Sequence, residues 1–511
     1  MQADRGFTLS HQKVALELGF SGVLAGFTEL TIMPSNAALR HIYLHARCMD
    51  IQRVLCNGQE VRFEHTDAVQ SLALSDIHGH AQLKRDLFSA TSQGAEGELR
   101  ISLPDHLRPE RVSSGTEGNA DGEEFSMMTI RIDYVLEDVH EAIQVIQPTA
   151  DAPYRVPHMY TRPLGLNSSR CWVPCLDSLW DRCTWELEYV VPRRLSVDMG
   201  DLDDETPEIY VISSGELTEH AMHPQNPEKS VFYYTQQVAT SVQHVAFCAG
   251  PFVMTRLSPA GLQTCETLSF CLPEHEHELR STTQFAWQAI EYISSEYGSY
   301  PFGSFKLVFV DGTHEDCHTA STLAICSSDL LHPPSVIDQA FENRHILSHA
   351  VAFQWVGINI IQKTWADTWL IHGLSQYLAS MFLRWLLGNN EYRFRMKKDC
   401  DRLCHWDIGM PPLYQAGRDE PLDPQLLSFV NLKAPLVLYL LDRRLCKMGA
   451  SLGLGRVIPK VFLQAITGEM SNNALGTHSF LRTCKKVSSA DLRLFMDQWI
   501  NGSGCPRFIC T

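Results

Sequence analysis

Residues 347–378 constrain the fold of this chain more than any other segment. They read LSHAVAFQWVGINIIQKTWADTWLIHGLSQYL and overlap two runs, 340–360 and 368–387, in which apolar residues recur at i, i+3 and i+4 spacing. This spacing predicts two consecutive amphipathic helices with buried faces. Two histidines, His349 and His372, lie within these helices, so a chemical role for them has to be weighed against simple packing.

Four positions in this segment have the spacing of a zinc site whose chemistry has been removed. In an HExxH site two histidines one helical turn apart hold the metal with a downstream glutamate, and the glutamate of the motif activates water. The corresponding positions here, for first ligand, base, second ligand and third ligand, are His349, Ala350, Phe353 and His372. A general base alone is typically worth about 10² to 10⁴ in rate. We therefore predict that no metal or other cofactor binds and that the cleft has been converted to packing.

The literal HExxH of the chain lies elsewhere, at residues 314–318 (HEDCH). It follows a strand-like run, 306–310, and an Asp311-Gly312 turn, and no apolar 3.6-residue face surrounds it. Its two histidines are therefore not expected on one side of a helix. We interpret the match as a coincidence of sequence, which is common for short motifs.

A rearranged metal site is the alternative that the same helices leave open. His345 and His349 are also four residues apart, and with His372 they would form a three-histidine set. This arrangement lacks a base as well, because Ile346 follows His345. The simpler interpretation is that these histidines form hydrogen bonds with their neighbours.

Length and composition indicate an intracellular multidomain protein. The 511 residues predict about three domains, and 44% apolar with 20% charged residues is an ordinary globular mixture. The net charge is 42 − 59 = −17, so the chain as a whole repels nucleic acid. The sequence has neither a run of 18 apolar residues nor a signal peptide, so no membrane partner is expected.

The 16 cysteines are expected to be reduced, because they are spread along the chain and none occurs in a CxxC pair. Cys171 and Cys175, and likewise Cys400 and Cys404, have the i, i+4 spacing that could join a metal site on a helix. Free thiols packed as small apolar side chains are the favoured interpretation.

The chain changes character near residue 255. Before it, short β-type runs alternate with turn clusters, at 26–33, 42–44, 129–136, 185–191, 210–212, 231–238 and 242–248. After it, a short β region at 305–325 precedes helical runs at 340–360, 368–387, 389–403, 434–447 and 490–500, with a further helical run at 283–297. Polar segments at 113–124 and 200–208 are expected to be surface insertions.

This order predicts an α+β multidomain fold. Residues 1–255 are expected to form a β-rich saddle or sandwich domain, and residues 256–495 a thermolysin-like, mostly helical domain. Residues 496–511 are expected to begin a third domain.

Five motifs in order carry a family resemblance: WVPCLD at 172–177, SSG at 213–215, GPF at 250–252, FQWVG at 353–357 and WADTWL at 365–370. Together they resemble the gluzincin aminopeptidases of the puromycin-sensitive type. The resemblance implies that residues 317–321 (CHTAS) replace the exopeptidase motif GAMEN, which puts Ala320 at the position of the glutamate that holds the substrate's amino terminus. It also implies that Asn431 replaces the transition-state tyrosine. A chain with these replacements is not expected to be an enzyme.

Over essentially its whole length the chain also resembles the TATA-binding-protein-associated factors of the TFIID subunit 2 family. The residues that carry this resemblance are 11–14 (HQKV), 26–32 (GFTELTI), 309–311 (FVD), 365–374, 498–500 (QWI) and 503–508 (SGCPRF). The resemblance implies a nuclear, non-catalytic scaffold that supports assembly of the RNA polymerase II preinitiation complex. Its implied partners are other TFIID subunits, including histone-fold factors and the TATA-binding protein complex, and core-promoter DNA reached through the assembly. The family continues beyond the length of this chain.

Two other functions remain open from the sequence: a zinc aminopeptidase with a rearranged ligand set, and a peptide-binding module that uses the former cleft. Direct DNA contact would use two basic clusters, Arg393, Arg395, Lys397 and Lys398 in one and Lys485 and Lys486 in the other. A solvated helix face is the favoured interpretation of both, because each cluster is short and the chain is acidic.

Overall fold

The structure is a computed structural model that describes residues 5–69, 72, 80–93, 96–110, 125–137, 139–162, 167–195, 207–259, 265–447 and 452–505. Its strands are β1 (Phe7–Leu18), β2 (Leu24–Pro34), β3 (His41–Leu44), β4 (Asp50–Cys56), β5 (Gln59–Glu60), β6 (Phe63–His65), β7 (Leu99–Ser102), β8 (Met128–Leu136), β9 (Ile143–Ile146), β10 (His158–Thr161), β11 (Arg182–Pro192), β12 (Tyr210–Ser213), β13 (Glu216–Met222), β14 (Lys229–Ser241), β15 (Phe247–Gly250), β16 (Val253–Arg256), β17 (Glu266–Cys271), β18 (Ser304–Val310), β19 (Cys317–Ala320), β20 (Leu323–Ser327), β21 (Ile361–Gln362) and β22 (Ala474–Leu475). Its helices are α1 (His80–Gln93), α2 (Glu276–Thr283), α3 (Ala286–Glu296), α4 (Ala340–Phe353), α5 (Thr368–Leu387), α6 (Asn389–Trp406), α7 (Pro424–Lys447), α8 (Leu454–Ile466), α9 (Thr477–Ser488) and α10 (Arg493–Phe495).

An eight-stranded sheet dominates the first half of the chain, in the order β13-β14-β11-β1-β2-β8-β4-β5. Its neighbouring strands are antiparallel except β1 and β11, which are parallel. Along β8, buried and partly exposed residues alternate over the whole strand, as expected for a sheet with one face on a core. Two smaller sheets, β12-β15-β10-β9 and β3-β7-β6, contribute Ile42, Ile101 and Phe247 to the same core.

The second half is built on a five-stranded sheet in the order β16-β17-β18-β20-β19, in which β17, β18 and β20 are parallel. Every residue of β18 is buried, as is typical of a parallel strand covered on both faces. Phe305, Leu307 and Phe309 belong to the large core formed with the helices. Val308 and Val310 belong to a smaller core shared with strands of the first half. The predicted α+β multidomain class, β-rich and then mostly helical, is therefore confirmed.

Several element boundaries differ from the sequence prediction. The run 242–248 was predicted as one strand, but Val242–His244 forms a 3-10 turn and β15 begins at Phe247. Helix α4 ends at Phe353 instead of reaching residue 360, because Gly357 adopts a φ of +139° and the chain then turns into β21. Helices α1, α2, α8 and α9 were not predicted. The polar insertion 113–124, residues 200–206 of the second insertion, and residues 506–511 lie outside the described residues.

Helix α7 is, among the described residues, the helix with the length and hydropathy of a membrane span. Its apolar face packs in the helical core through residues such as Phe429, Val437 and Leu441. Two ionisable residues of α7, Lys433 and Asp442, are buried in the same packing. These contacts are those of a core helix.

Candidate functional site

Helices α4 and α5 bring the candidate residues together. His349 and Phe353 lie one turn apart on α4, and His372 lies on the first turns of α5. The Phe353 ring lies between the two histidines, with centroid distances of 5.6 Å to His349 and 5.5 Å to His372. The residues that the sequence placed at three ligand positions are therefore neighbours in space.

The hydrogen bonds of this cluster hold one histidine within the helix pair. Nε2 of His349 lies 3.0 Å from Oγ of Ser375, and that hydroxyl donates to the carbonyl oxygen of His372 at 2.9 Å. If the hydroxyl donates to the carbonyl, Nε2 must carry the proton and donate to the hydroxyl, which leaves this nitrogen no lone pair for a metal. Ser375 was not identified from the sequence. Its position three residues after His372, on the same face of α5, is the signal that could have found it.

Burial and neighbouring charges keep both histidines neutral. Burial, together with the proximity of His372 and His345, lowers the pKa of His349 to about 3. Burial lowers the pKa of His372 to about 4, opposed only by the Asn431 side chain. No carboxylate contributes to the pKa of either ring.

Ala320 contacts the residue that follows α4, whereas Asn431 contacts α5. Ala320 is buried at the end of edge strand β19, and its carbonyl oxygen accepts a 2.9 Å hydrogen bond from the Gln354 amide. The Gln354 amide oxygen accepts from the Thr322 backbone N–H at 2.8 Å, so Gln354 ties β19 and β20 to the end of α4. Asn431 lies on α7 and contacts His372. Sequence reasoning had taken Gln354 only as part of a motif.

The tryptophans of the helix pair are structural. Trp355 is 2% exposed and donates from its indole to the carbonyl oxygen of Gly298 at 2.9 Å. Trp369 is 1% exposed and donates to Oγ1 of Thr477 at 3.1 Å. Both indoles are thus buried and hydrogen-bonded.

The HEDCH segment does not form a helical metal site. His314 lies in a bend, whereas His318 lies on β19, so the two rings are not on one helix face. Among the residues that the structure describes, the set of three ligand atoms within 4.8 Å of one another consists of Glu274, His275 and Asp311. The alternative His345, His349 and His372 set does not meet that distance.

A cavity of about 440 Å³ lies beside the helix pair, between α4, α5, α6 and α7. His345 and Asn431 reach its wall, and Tyr377, Tyr392 and Tyr439 supply aromatic surface. Burial lowers the pKa of His345, and the nearby Glu342 carboxylate partly offsets this. Aromatic, polar and ionisable side chains thus line the cavity together.

The first predicted basic cluster is partly neutralised by ion pairs on α6. Arg395 contacts Glu391 at 2.7 Å and Glu342 at 2.8 Å, and its guanidinium lies 3.7 Å from the Phe341 ring centroid. Lys397 donates to Asp401 at 2.6 Å.

The other members of the two clusters are on helix surfaces. Arg393 and Lys398 are exposed on α6, and Lys485 and Lys486 are exposed in the last turn of α9. DNA contact by any of these residues stays a prediction.

By sequence, the chain is similar to subunits of a transcription initiation factor. The TFIID subunit 2 of Schizosaccharomyces pombe is 34% identical over 98% of this chain, and that of Drosophila melanogaster is 28% identical over 99%. The chain spans 46% and 43% of those two relatives, a little under half of their length. No protein-family model matches the chain.

By fold the chain is similar to zinc metallopeptidases. Yeast LTA4 hydrolase in complex with bestatin superposes with a TM-score of 0.71 at 15% identity, over 100% of this chain and 71% of that chain. The M1 zinc metallopeptidase from Deinococcus radiodurans superposes with a TM-score of 0.66 at 17% identity, over 98% and 95%. The curated homologues of this chain are thus TFIID subunit 2 proteins, and its fold is that of the M1 metallopeptidases.

Proposed function

We propose that this chain is a non-catalytic scaffold portion of a TFIID-type transcription initiation factor. The observation that carries the proposal is the Phe353 ring, which lies between His349 and His372 where a metal-binding cleft would need a second ligand. Apolar contact between these rings stabilises the helix pair, whereas a divalent cation would meet no carboxylate. The relatives are named as transcription-factor subunits, which supports the same conclusion.

The replacements remove each chemical step of peptide hydrolysis separately. Ala350 has no group to activate water. With Phe353 and His372 at the other ligand positions, the set of two histidines and one glutamate that holds zinc is not complete. Ala320 cannot bind an amino group, and Asn431 has no phenol to stabilise a tetrahedral intermediate. Because a general base alone is typically worth about 10² to 10⁴ in rate, their joint loss leaves no competent mechanism.

The proposal extends to partners and location through the relatives. Other TFIID subunits, including histone-fold factors and the TATA-binding protein complex, are its proposed partners, and core-promoter DNA is reached through the assembly. The nucleus is the proposed location. We further propose that the chain divides into three units: residues 1–255, residues 256–495 and a third unit that begins at residue 496. Ile500 packs in the helical core of the second unit.

Zinc content and activity test the proposal directly. We expect purified chain to carry no zinc that depends on His349, to leave aminoacyl fluorogenic substrates uncleaved, and to co-purify with TFIID subunits from nuclear extract, as read by mass spectrometry. One full equivalent of zinc with chelator-sensitive hydrolysis that is lost in His349→Ala would overturn it.

Rebuilding the site tests whether the aligned positions are the right ones. The triple substitution Ala350→Glu, Phe353→His and His372→Glu restores the HExxH pattern and its downstream glutamate, and we expect it to bind one equivalent of zinc more than the parent chain. Circular dichroism establishes that the variant is folded. A folded triple variant that binds no more zinc than the parent chain would show that these positions do not converge on a metal site.

A second candidate function is peptide binding, favoured by the 440 Å³ cavity beside His345 and Asn431. Its aromatic surface and mixed charges fit an extended peptide better than a small apolar ligand. Fluorescence anisotropy with a peptide library tests it. Saturable binding that is abolished by Tyr439→Ala would favour this function, and no saturable binding would eliminate it.

A further inference from the structure

A second cluster of metal-binding side chains lies away from the helix pair. Glu274 and His275 end the short 3-10 helix Pro273–His275 that follows β17, and Asp311 follows β18 directly. Because β17 and β18 are parallel neighbours, their carboxyl ends meet at one edge of the five-stranded sheet. One ligand atom from each of these residues lies within 4.8 Å of the other two.

The histidine of this cluster is oriented for metal binding. Nδ1 of His275 lies 3.1 Å from Oε2 of Glu278, one turn further along on α2. When this carboxylate accepts a hydrogen bond from Nδ1–H, Nε2 keeps a free lone pair. Metal-binding histidines usually have their second ring nitrogen hydrogen-bonded in this way. The other ring nitrogen of His275, Nε2, lies 3.8 Å from Oε1 of Glu274.

Asp311 is held in place by three contacts on its backbone and side chain. Its backbone N–H donates to Nε2 of His158 at 3.2 Å, and its carbonyl oxygen accepts from the Tyr160 hydroxyl at 3.2 Å. The Ser328 hydroxyl donates to Oδ1. One carboxylate oxygen, Oδ2, has no hydrogen bond among the described residues, so the side chain is fixed and has an oxygen to offer.

We propose that Glu274, His275 and Asp311 form a divalent-cation site that takes zinc. One neutral imidazole and two carboxylates supply a nitrogen and oxygens, the ligand types that zinc takes at about 2.0–2.2 Å, and their two negative charges balance the ion. The exposed Glu274 side chain has the freedom to close the remaining gap. Water completes the coordination. The bound ion would hold the residue after β18 close to the segment between β17 and α2.

This site shares no residue with the degenerate cleft, so its test is independent of the scaffold proposal. The probe is zinc added to metal-free chain, with affinity measured by competition against a chromophoric chelator. We expect one zinc per chain. His275→Ala and Asp311→Asn should each weaken binding at least tenfold, and Glu278→Gln should weaken it about tenfold by loosening His275.

His277→Ala is the matched control, because His277 is an exposed histidine two residues from His275 and outside the ligand set. It should bind zinc with parent affinity. His349→Ala reports on the cleft and should also leave binding unchanged.

Two results would overturn the site: no zinc binding to the parent chain tighter than a millimolar dissociation constant, or binding that His275→Ala leaves intact. Loss of binding only in His349→Ala would overturn both this site and the interpretation of the cleft. Circular dichroism of each variant separates loss of a ligand from loss of fold. Zinc-induced thermal stabilisation that is absent in folded His275→Ala is the second readout.

Discussion

At the scale of single residues, the positions that we interpret as former ligand positions are held by side chains that suit a neutral, tightly packed environment. Phe353 contacts both His349 and His372, and its ring also lies over Gly357, where an added Cβ would approach ring atoms to 2.5 Å. Glycine at 357 is therefore needed both for its φ of +139° and for the space that the ring occupies. The aromatic side chain and the glycine depend on each other.

Phe353→Ala should destabilise the chain by about 2 kcal/mol. Fully buried phenylalanines typically cost about 3–5 kcal/mol, and Phe353 is half-buried. Urea denaturation followed by circular dichroism measures the change. Phe353→Leu, which keeps most of the apolar volume, is the control and should lose less than half as much. Equal stability of the alanine variant and the parent would show that the ring does not support the helix pair.

The lowered pKa of His349 makes a prediction about acid stability. The pKa of His349 is about 3 in the folded chain and about 6.5 when unfolded, so below pH 6.5 the unfolded state takes up a proton that the folded state does not. Stability should therefore fall as pH decreases from 6.5 towards 3. In His349→Gln the slope of unfolding free energy against pH should decrease, by an amount that corresponds to at most one proton taken up on unfolding.

Denaturant unfolding between pH 4 and pH 8 measures that slope. His277→Gln, at an exposed position, is the control and should keep the parent slope. An unchanged slope in His349→Gln would mean that His349 is protonated equally in both states.

At the scale of elements, Asp367 joins the start of α5 to the start of α9. Its carboxylate accepts from the Thr364 backbone N–H at 3.1 Å, the Thr364 hydroxyl at 2.7 Å and the Thr477 backbone N–H at 2.7 Å. The indole of Trp369 adds a bond to the Thr477 hydroxyl. One buried carboxylate thus caps the turn before α5 and the first turn of α9. This explains the aspartate of the WADTWL motif without any catalytic role.

Asp367→Ala should cost about 3 kcal/mol, because the backbone N–H groups of Thr364 and of the buried Thr477 lose their acceptor together. Chemical denaturation measures the loss, and hydrogen exchange should locate it at the first turn of α9. Asp367→Asn keeps one acceptor oxygen and should lose about half as much. A loss in the alanine variant below about 0.5 kcal/mol would contradict the double-cap interpretation.

At the scale of the whole molecule, β18 connects the two halves through opposite faces. Its alternate residues enter the helical core and the small core shared with the first half. Lys306 is buried between them and donates to Oγ1 of Thr322 at 3.1 Å and to the carbonyl oxygen of Gly215. Burial lowers the pKa of Lys306 to about 8. Gly215 has a φ of +84°, and an added Cβ would lie 2.5 Å from the Thr235 carbonyl oxygen, which explains the glycine of the SSG motif.

The net charge of −17 makes a prediction about DNA. Lys485→Ala combined with Lys486→Ala should leave the affinity for promoter duplexes and its salt dependence unchanged, because we interpret both lysines as solvated. Each lost phosphate contact would instead reduce the slope of log affinity against log salt by about 0.9. Anisotropy titrations from 50 to 200 mM salt measure the slope. A reduction near 2 would establish that α9 contacts DNA.

The sequence by itself determined the order of elements and the identity of the helix pair. Periodic apolar residues are local signals, so α5 was predicted with its observed bounds and α4 with its observed start. That His349 and Phe353 share a face also followed from spacing, because residues one turn apart on a helix share a face.

Only the tertiary structure decided what these residues contact. Ser375 as the partner of His349, Gln354 as a tie to β19, and Asp367 as a double cap all depend on elements distant in the chain. The Glu274, His275 and Asp311 cluster likewise arises because two parallel strands end side by side. Spacing along a chain fixes which side chains share a face, whereas the pairing of faces depends on long-range packing that local periodicity does not encode.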